Sequence, residues 1–377
     1  MKGKQGMVCM GLLLVLSSCH TGKQITASGL QRKDFQTEVN GQHTDLFTLS
    51  NKQGMEVCIT NYGARVVSIL VPDRNGKRED VVCGFSTITE YMEQRQNFGS
   101  TVGRYIGRIL NARFTLDGVE YKLVPNNGKS GHISHGGNPG FADRIWKVEQ
   151  ADTHRVRLSY LSPDGENGFP GNLKVTLVYS LGEDDNALDL TYEATTDAPT
   201  VLNLSHHSFF NISGNFTKSV EDQQLWVDAY RFTPYDDKKC VTGEYLPVAG
   251  TPLDFRMPHA IGECIDADHP QLKVVNGYDH TWELNTKGDD TRPAAWVYDP
   301  ASGRKMEIFT TEPGMQIYTG NGLKGKMTGK GRIAYPFRSA VCFETMHFQD
   351  SPNQPGFPST VLRPGEVFRS HTVYKFE

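Results

Sequence analysis

The sequence predicts an all-β fold: one large antiparallel β-sandwich with few short helices. Three observations predict it. Apolar residues recur at a period of two, the period of a half-buried strand. The chain holds 38 glycines and 19 prolines among 377 residues, enough to punctuate many short strands. No long stretch sustains the 3.6-residue period of an amphipathic helix, which argues against a βαβ architecture.

The N-terminus stands apart. Lys2 and Lys4 precede the apolar run Met7 to Leu16, and Ser17, Ser18 and Cys19 follow. This is the basic, apolar and small-residue order of an export signal. The apolar run is too short to span a bilayer, which needs roughly 20 residues. "LSSC" (Leu16–Cys19) resembles a bacterial lipobox, in which Cys19 is lipidated and becomes the mature N-terminus. The expected organisation is therefore a signal over 1–18, a lipidated terminus and polar tether over 19–33, and one domain over 34–377. A plain cleaved signal with Cys19 incidental is the simpler alternative. Lipid at Cys19 would hold a soluble domain at a membrane without spanning it. "CHTGKQ" (Cys19–Gln24) carries no acidic cluster, which leans the expectation to the periplasmic side.

The strands follow in order. Met55, Val57 and Ile59 alternate with Glu56, Cys58 and Thr60. "STITEYMEQRQN" (Ser86–Asn97) is the best short helix, with Ser86 or Thr87 as its cap. Phe114 and Leu116 lead through Asp117-Gly118 into Val119, Tyr121 and Leu123, a hairpin whose turn needs two positive φ values. Val156–Tyr160, Leu173–Leu181 and Leu188–Ala194 are further alternating runs. In "LSHHSFFNISG" (Leu204–Gly214) alternation puts Asn203, Ser205, His207 and Phe209 on one face, and Leu202, Leu204, His206 and Ser208 on the other. Two adjacent histidines cannot share one site on such a strand.

Composition limits the functions. Removing residues 1–18 would take Lys2 and Lys4 and no acid, leaving 37 basic against 43 acidic residues, a balance of −6. That is no footprint for nucleic acid. Beyond Cys9 and Cys19, the cysteines Cys58, Cys83, Cys240, Cys264 and Cys342 are scattered, with no C-x-x-C pair. This is neither a disulfide scaffold nor a zinc ribbon, though one disulfide stays open. Cys58 and Cys342 read as buried small hydrophobes. "GNGLKG" (Gly320–Gly325) matches G-x-G-x-x-G, but "KMTGKGR" follows it with no helical stripe, so it reads as a loop and not a dinucleotide grip. His132, His135, His206, His207 and His280 could be combined into a metal site, but His132–His135 lies in a loop-like stretch without H-E-x-x-H. No cofactor or metal is expected.

Six pieces, in one order, carry a resemblance: "FGSTVGRYIGRI" (Phe98–Ile109), "SHGG" (Ser134–Gly137), "HSFFNISG" (His207–Gly214), "NGYDH" (Asn276–His280), "TTEPGMQIYTGN" (Thr310–Asn321) and "CFETMHFQDSPNQPGFPSTVLRPGE" (Cys342–Glu366). The chain resembles the aldose 1-epimerase (galactose mutarotase) family over most of residues 45–376. The resemblance implies a single β-supersandwich domain. It also implies an isomerase that interconverts the α- and β-anomers of free hexoses such as glucose and galactose. That chemistry needs a base on the C1 hydroxyl, an acid on the ring oxygen, and groups that hold the sugar.

By the same resemblance Glu344 is the base and His207 the acid. Arg108, His135, Asp279 and Gln316 bind the sugar. Taken singly, each has an ordinary reading as a surface, turn or sheet-edge residue. The family commonly has Asn where this chain has Gly107, so a side-chain amide near the sugar is expected to be missing, and it usually has Asn where this chain has His206. Phe209, Phe210, Trp226, Trp282 and Trp296 are candidates to stack on a sugar face. Two alternatives remain: a non-catalytic carbohydrate-binding module on the same sandwich, and an epimerase of phosphorylated hexoses, which would want more Arg or Lys at the site. The expected partners are a small sugar and, through the N-terminal lipid only, a membrane; the oligomeric state is not readable.

Overall fold

The computed structural model describes residues 24–377. Cys19, the expected signal over 1–18 and the first part of the tether lie outside the described residues. The strands of the described residues pair into antiparallel sheets. A nine-stranded sheet runs in the order Lys147–Ala151, Arg155–Ser162, Leu173–Leu181, Ala187–Thr196, Phe368–Phe376, Lys305–Thr310, Ala295–Tyr298, Gln224–Val227 and His259–Ala260. A six-stranded sheet runs Phe209–Phe210, Val341–Met346, Gly314–Tyr318, Asp279–Leu284, Ala229–Thr233 and Leu246–Pro247. A four-stranded sheet holds Leu46–Ser50, Glu56–Thr60, Arg65–Pro72 and Arg78–Asp80.

The long strands follow the alternation. Leu173, Val175, Leu177, Tyr179 and Leu181 are buried, and their intervening neighbours are more open. They join one apolar core with Trp282, Ile317 and Phe343 of the six-stranded sheet. Burying a large apolar side chain stabilises by roughly 1.5–3 kcal/mol, so this shared interior holds the layers together.

Local expectations are met at the hairpin and the first helix. Asp117 and Gly118 have φ of 51° and 81°, between Leu116 and Val119, which pair across the turn. The helix is Ile88–Gln94, and Thr87 and Glu90 cap each other's backbone. A second helix, Pro270–Val275, was not expected; its six residues are too few to display a helical period. Gly320–Gly325 forms turns and bends, as a loop should.

Two expectations change. Glu56–Thr60 is buried on both faces, not one. The covering segment is part of the expected tether: Glu56 Oε1 accepts from the N–H groups of Ala27 and Ser28, and Leu30 and Phe35 are buried. Residues 26–33 are therefore packed on the domain.

Candidate active site

The six-stranded sheet builds the floor of the site by register alone. Gln316 lies directly opposite Glu344 on the next strand, and Thr281 opposite Gln316. Residues directly opposite share a face, as do residues two apart. Glu344, Gln316, Asp279, Tyr318 and Met346 therefore face the same way. They line a cavity of about 240 Å³ together with Gln96, Asn97, Gly107, Arg108, Ser134, His135, His207, Phe209 and Gln349. Drug-sized ligands take roughly 300–1,000 Å³, so this cavity suits something smaller.

His207 arrives from a different pairing. Ser205–His207 pairs with Ser100–Val102, and the chain then steps into the six-stranded sheet, where Phe209 pairs with Cys342. That step brings His207 over Glu344, with Nε2 3.3 Å from Glu344 Oε1. Both are almost fully buried. Burial, with Asp279 nearby, pushes the Glu344 carboxyl well above its ordinary range. Burial, with His135 nearby, pulls His207 well below its own. His207 Nδ1 is buried without a hydrogen-bond partner, and the ring stacks on Phe209 with centroids 5.0 Å apart.

His135 and Arg108 come from the opposite wall, where Ser134 pairs with Arg108. His135 Nδ1 accepts the Gly107 N–H at 3.4 Å, so the neutral ring carries its proton on Nε2. Burial and the Arg108 charge push its pKa down to about 4, so His135 is neutral at pH 7. Arg104, four residues before Arg108, is buried and donates to the carbonyls of Pro170 and Gly171 and to the hydroxyls of Thr200 and Ser162. That staple fixes the loop from which Arg108 projects. Asp279 Oδ1 accepts from Gln316 Nε2 at 2.6 Å. Its other oxygen, Oδ2, stays open to a ligand hydroxyl. Burial raises the Asp279 pKa, against the pull of Arg108 and Gln316.

All six residues singled out for chemistry and sugar binding thus meet in one cavity. The neighbouring expectations do not all hold. Asn203 does not line the cavity: its amide donates to the carbonyl of His347 and accepts the His347 N–H. Ser205 is buried outside the lining as well. Among the aromatic candidates only Phe209 borders the cavity. Phe210 and Trp282 belong to the apolar core, and Trp226 stacks on Trp296 across two strands of the nine-stranded sheet. The sequence reading missed Gln349, Tyr318, Gln96 and Asn97. Tyr318 could have been found, because it follows Gln316 by two on one strand; Gln349 follows a strand end and carries no such signal.

The histidines do not assemble into a metal site. His132 Nε2 contacts Cys240 Sγ, His206 packs in the core, and His280 contacts Gln271. Among the described residues, one group of ligand types lies within 4.8 Å: His207, Cys342 and Glu344. A metal there would occupy the imidazole and carboxylate that face the cavity, and burial holds the Cys342 thiol protonated. Cys58, Cys83, Cys240, Cys264 and Cys342 are all free thiols.

A buried His–carboxylate pair facing an arginine, an aspartate and amides in a small polar cavity suits acid–base chemistry on a small polar ligand. The aldose 1-epimerase family model matches residues 45–375. A galactose mutarotase of Sus scrofa is 38% identical over 330 residues, covering 88% of this chain and 93% of its own. An aldose 1-epimerase of Escherichia coli is 36% identical, covering 89% and 96%. Among solved structures, an aldose epimerase homologue from C. elegans superposes with a TM-score of 0.81 at 30% identity, covering 89% of this chain and 99% of that one. The chain belongs to the aldose 1-epimerase family.

Proposed function

We propose that the protein interconverts the α- and β-anomers of free aldohexoses, with Glu344 as base and His207 as acid. The observation that carries this is the 3.3 Å approach of His207 Nε2 to Glu344 Oε1 at the base of a cavity also lined by Arg108, His135, Asp279 and Gln316. Glu344 takes the proton of the C1 hydroxyl while His207 gives one to the ring oxygen. The bond from C1 to the ring oxygen breaks and C1 becomes an aldehyde. After C1 turns about the C1–C2 bond, the transfers run backwards and close the ring on the other face.

The pair holds one proton throughout. It is carboxylate with imidazolium before ring opening, and carboxylic acid with imidazole after. In water a Glu near 4.3 and a His near 6.5 would favour the first form by roughly two pKa units. Burial raises Glu344 and lowers His207, which shifts that preference toward carboxylic acid with imidazole. Arg108, Asp279, Gln316 and His135 hold the sugar hydroxyls and the ring-oxygen side.

Polarimetry of fresh α-D-glucose and α-D-galactose tests this. Faster decay to the equilibrium rotation is expected, with Glu344→Gln lowering kcat by ~10²–10⁴-fold. Full activity in that variant would sink the mechanism. Sugar binding without acceleration would favour a carbohydrate-binding module. A phosphorylated hexose is disfavoured because, among the described residues, Arg108 is the one Lys or Arg lining the cavity.

The lipobox-like "LSSC" supports export and attachment to a membrane through lipid on Cys19, and "CHTGKQ" (Cys19–Gln24), without an acidic cluster, supports a periplasmic face. Cys19→Ala is expected to move the protein to the soluble fraction; unchanged fractionation would refute lipidation there.

A further inference from the structure

Gly107 sits at φ +76°, and a Cβ built there would lie 2.5 Å from Gln349 Cγ and 3.0 Å from its Cδ. Carbon atoms approach no closer than roughly 3.5 Å without strain. The Gln349 side chain therefore fills the space that a side chain at position 107 would need.

Its amide makes three hydrogen bonds. Gln349 Oε1 accepts the Arg108 N–H at 3.2 Å, and Nε2 donates to the Tyr235 hydroxyl at 2.7 Å and to Gln316 Oε1 at 3.3 Å. Gln316 in turn donates to Asp279. One buried side chain thus ties the wall that carries Arg108 to the floor that carries Gln316 and Asp279. It borders the cavity, and its oxygen keeps a second lone pair.

We propose that Gln349 is a sugar-positioning residue that stands in for the side chain missing at position 107. It fixes the spacing between Arg108 and Asp279 and turns its spare lone pair to a substrate hydroxyl. Gly107 and Gln349 then act as one unit, because either side chain excludes the other. This rests on the proposed site, so its test keeps the two apart.

The decisive variant is Gln349→Met, which fills the same space without an amide. KM for galactose is expected to rise ~10–100-fold, with kcat within ~3-fold of wild type and a folded protein by circular dichroism. Gly107→Asn alone should weaken binding, because its side chain collides with Gln349. Asn tolerates positive φ, so Gly107→Asn with Gln349→Ala should bring KM back to within ~5-fold of wild type. An unchanged KM in Gln349→Met, or a folded double variant no better than Gln349→Ala, would overturn the proposal. Should the double variant not fold, the KM of Gln349→Met decides. Glu344→Gln is run in parallel. If it stays active, the site reading itself falls; if it is dead while Gln349→Met is normal, only the role of Gln349 falls.

Discussion

The nine-stranded and six-stranded sheets obey the same alternation and use it differently. In Leu173–Leu181 every second residue is apolar and buried, and the residues between meet solvent. In Val341–Met346 all six residues are buried. One face enters the apolar core; the other is covered by the loop walls of Arg108, His135 and Gln349. A sheet face that is both polar and shielded from water is where a carboxylate can be raised and an imidazole lowered. The long sheet supplies stability, and the short one holds the buried His207–Glu344 pair.

His206 and His207 are this contrast at its smallest scale. His207 faces the cavity. His206 faces the other layer, with Nε2 2.6 Å from the Ser208 hydroxyl and its ring between Tyr179 and Tyr374. Burial alone pushes it down to about 3, so it is a neutral core residue. The largest effect is expected from His207→Asn, a loss of ~10²–10⁴-fold in kcat by polarimetry with the fold intact by circular dichroism. Turnover near wild type would erase the difference between the two faces. His206→Asn should do the reverse: kcat within ~2-fold, but a stability loss of about 1–3 kcal/mol in urea melts, from a lost hydrogen bond and a gap beside two tyrosines. From the sequence alone, this exchange would be nearly silent; the packing around the ring makes it costly.

The smallest effect belongs to the outer face of the long sheet. His371 bridges Asp290 at 2.7 Å and Asp189 at 3.0 Å, and these hydrogen bonds raise it to about 8. Its folded pKa is above the ordinary 6.5, so its contribution is full below pH 6.5 and fades as pH rises through 8. With the ring a third exposed, that contribution is about 1 kcal/mol at most. His371→Gln should therefore lower stability at pH 6 and match wild type at pH 9. Equal losses at both pH values would show packing, not charge.

Much of this was legible in the sequence. Period two identified the long strands, and turn and cap residues identified the Asp-Gly turn and the capped helix, because those depend on neighbours a few residues away. It also separated His206 from His207. The role assignments at Glu344, Asp279 and Arg108 came from motif resemblance, and the cavity brings them together. What alternation could not give was coverage. Glu56 read as the open face of its strand, yet a segment some 30 residues earlier lies over it. Asn203 shares a face with His207, but its amide is taken by the His347 backbone. Gln349 has meaning only beside Gly107, a neighbour set by the fold.

The packed segment at Thr26–Phe35 has a mechanical consequence. With lipid on Cys19, six residues would separate the anchor from Thr26, a reach of at most ~25 Å when fully extended. So short a leash would keep the domain from roaming the surrounding volume. The enzyme would work as part of the membrane's own boundary layer, meeting sugars within a few nanometres of the lipid.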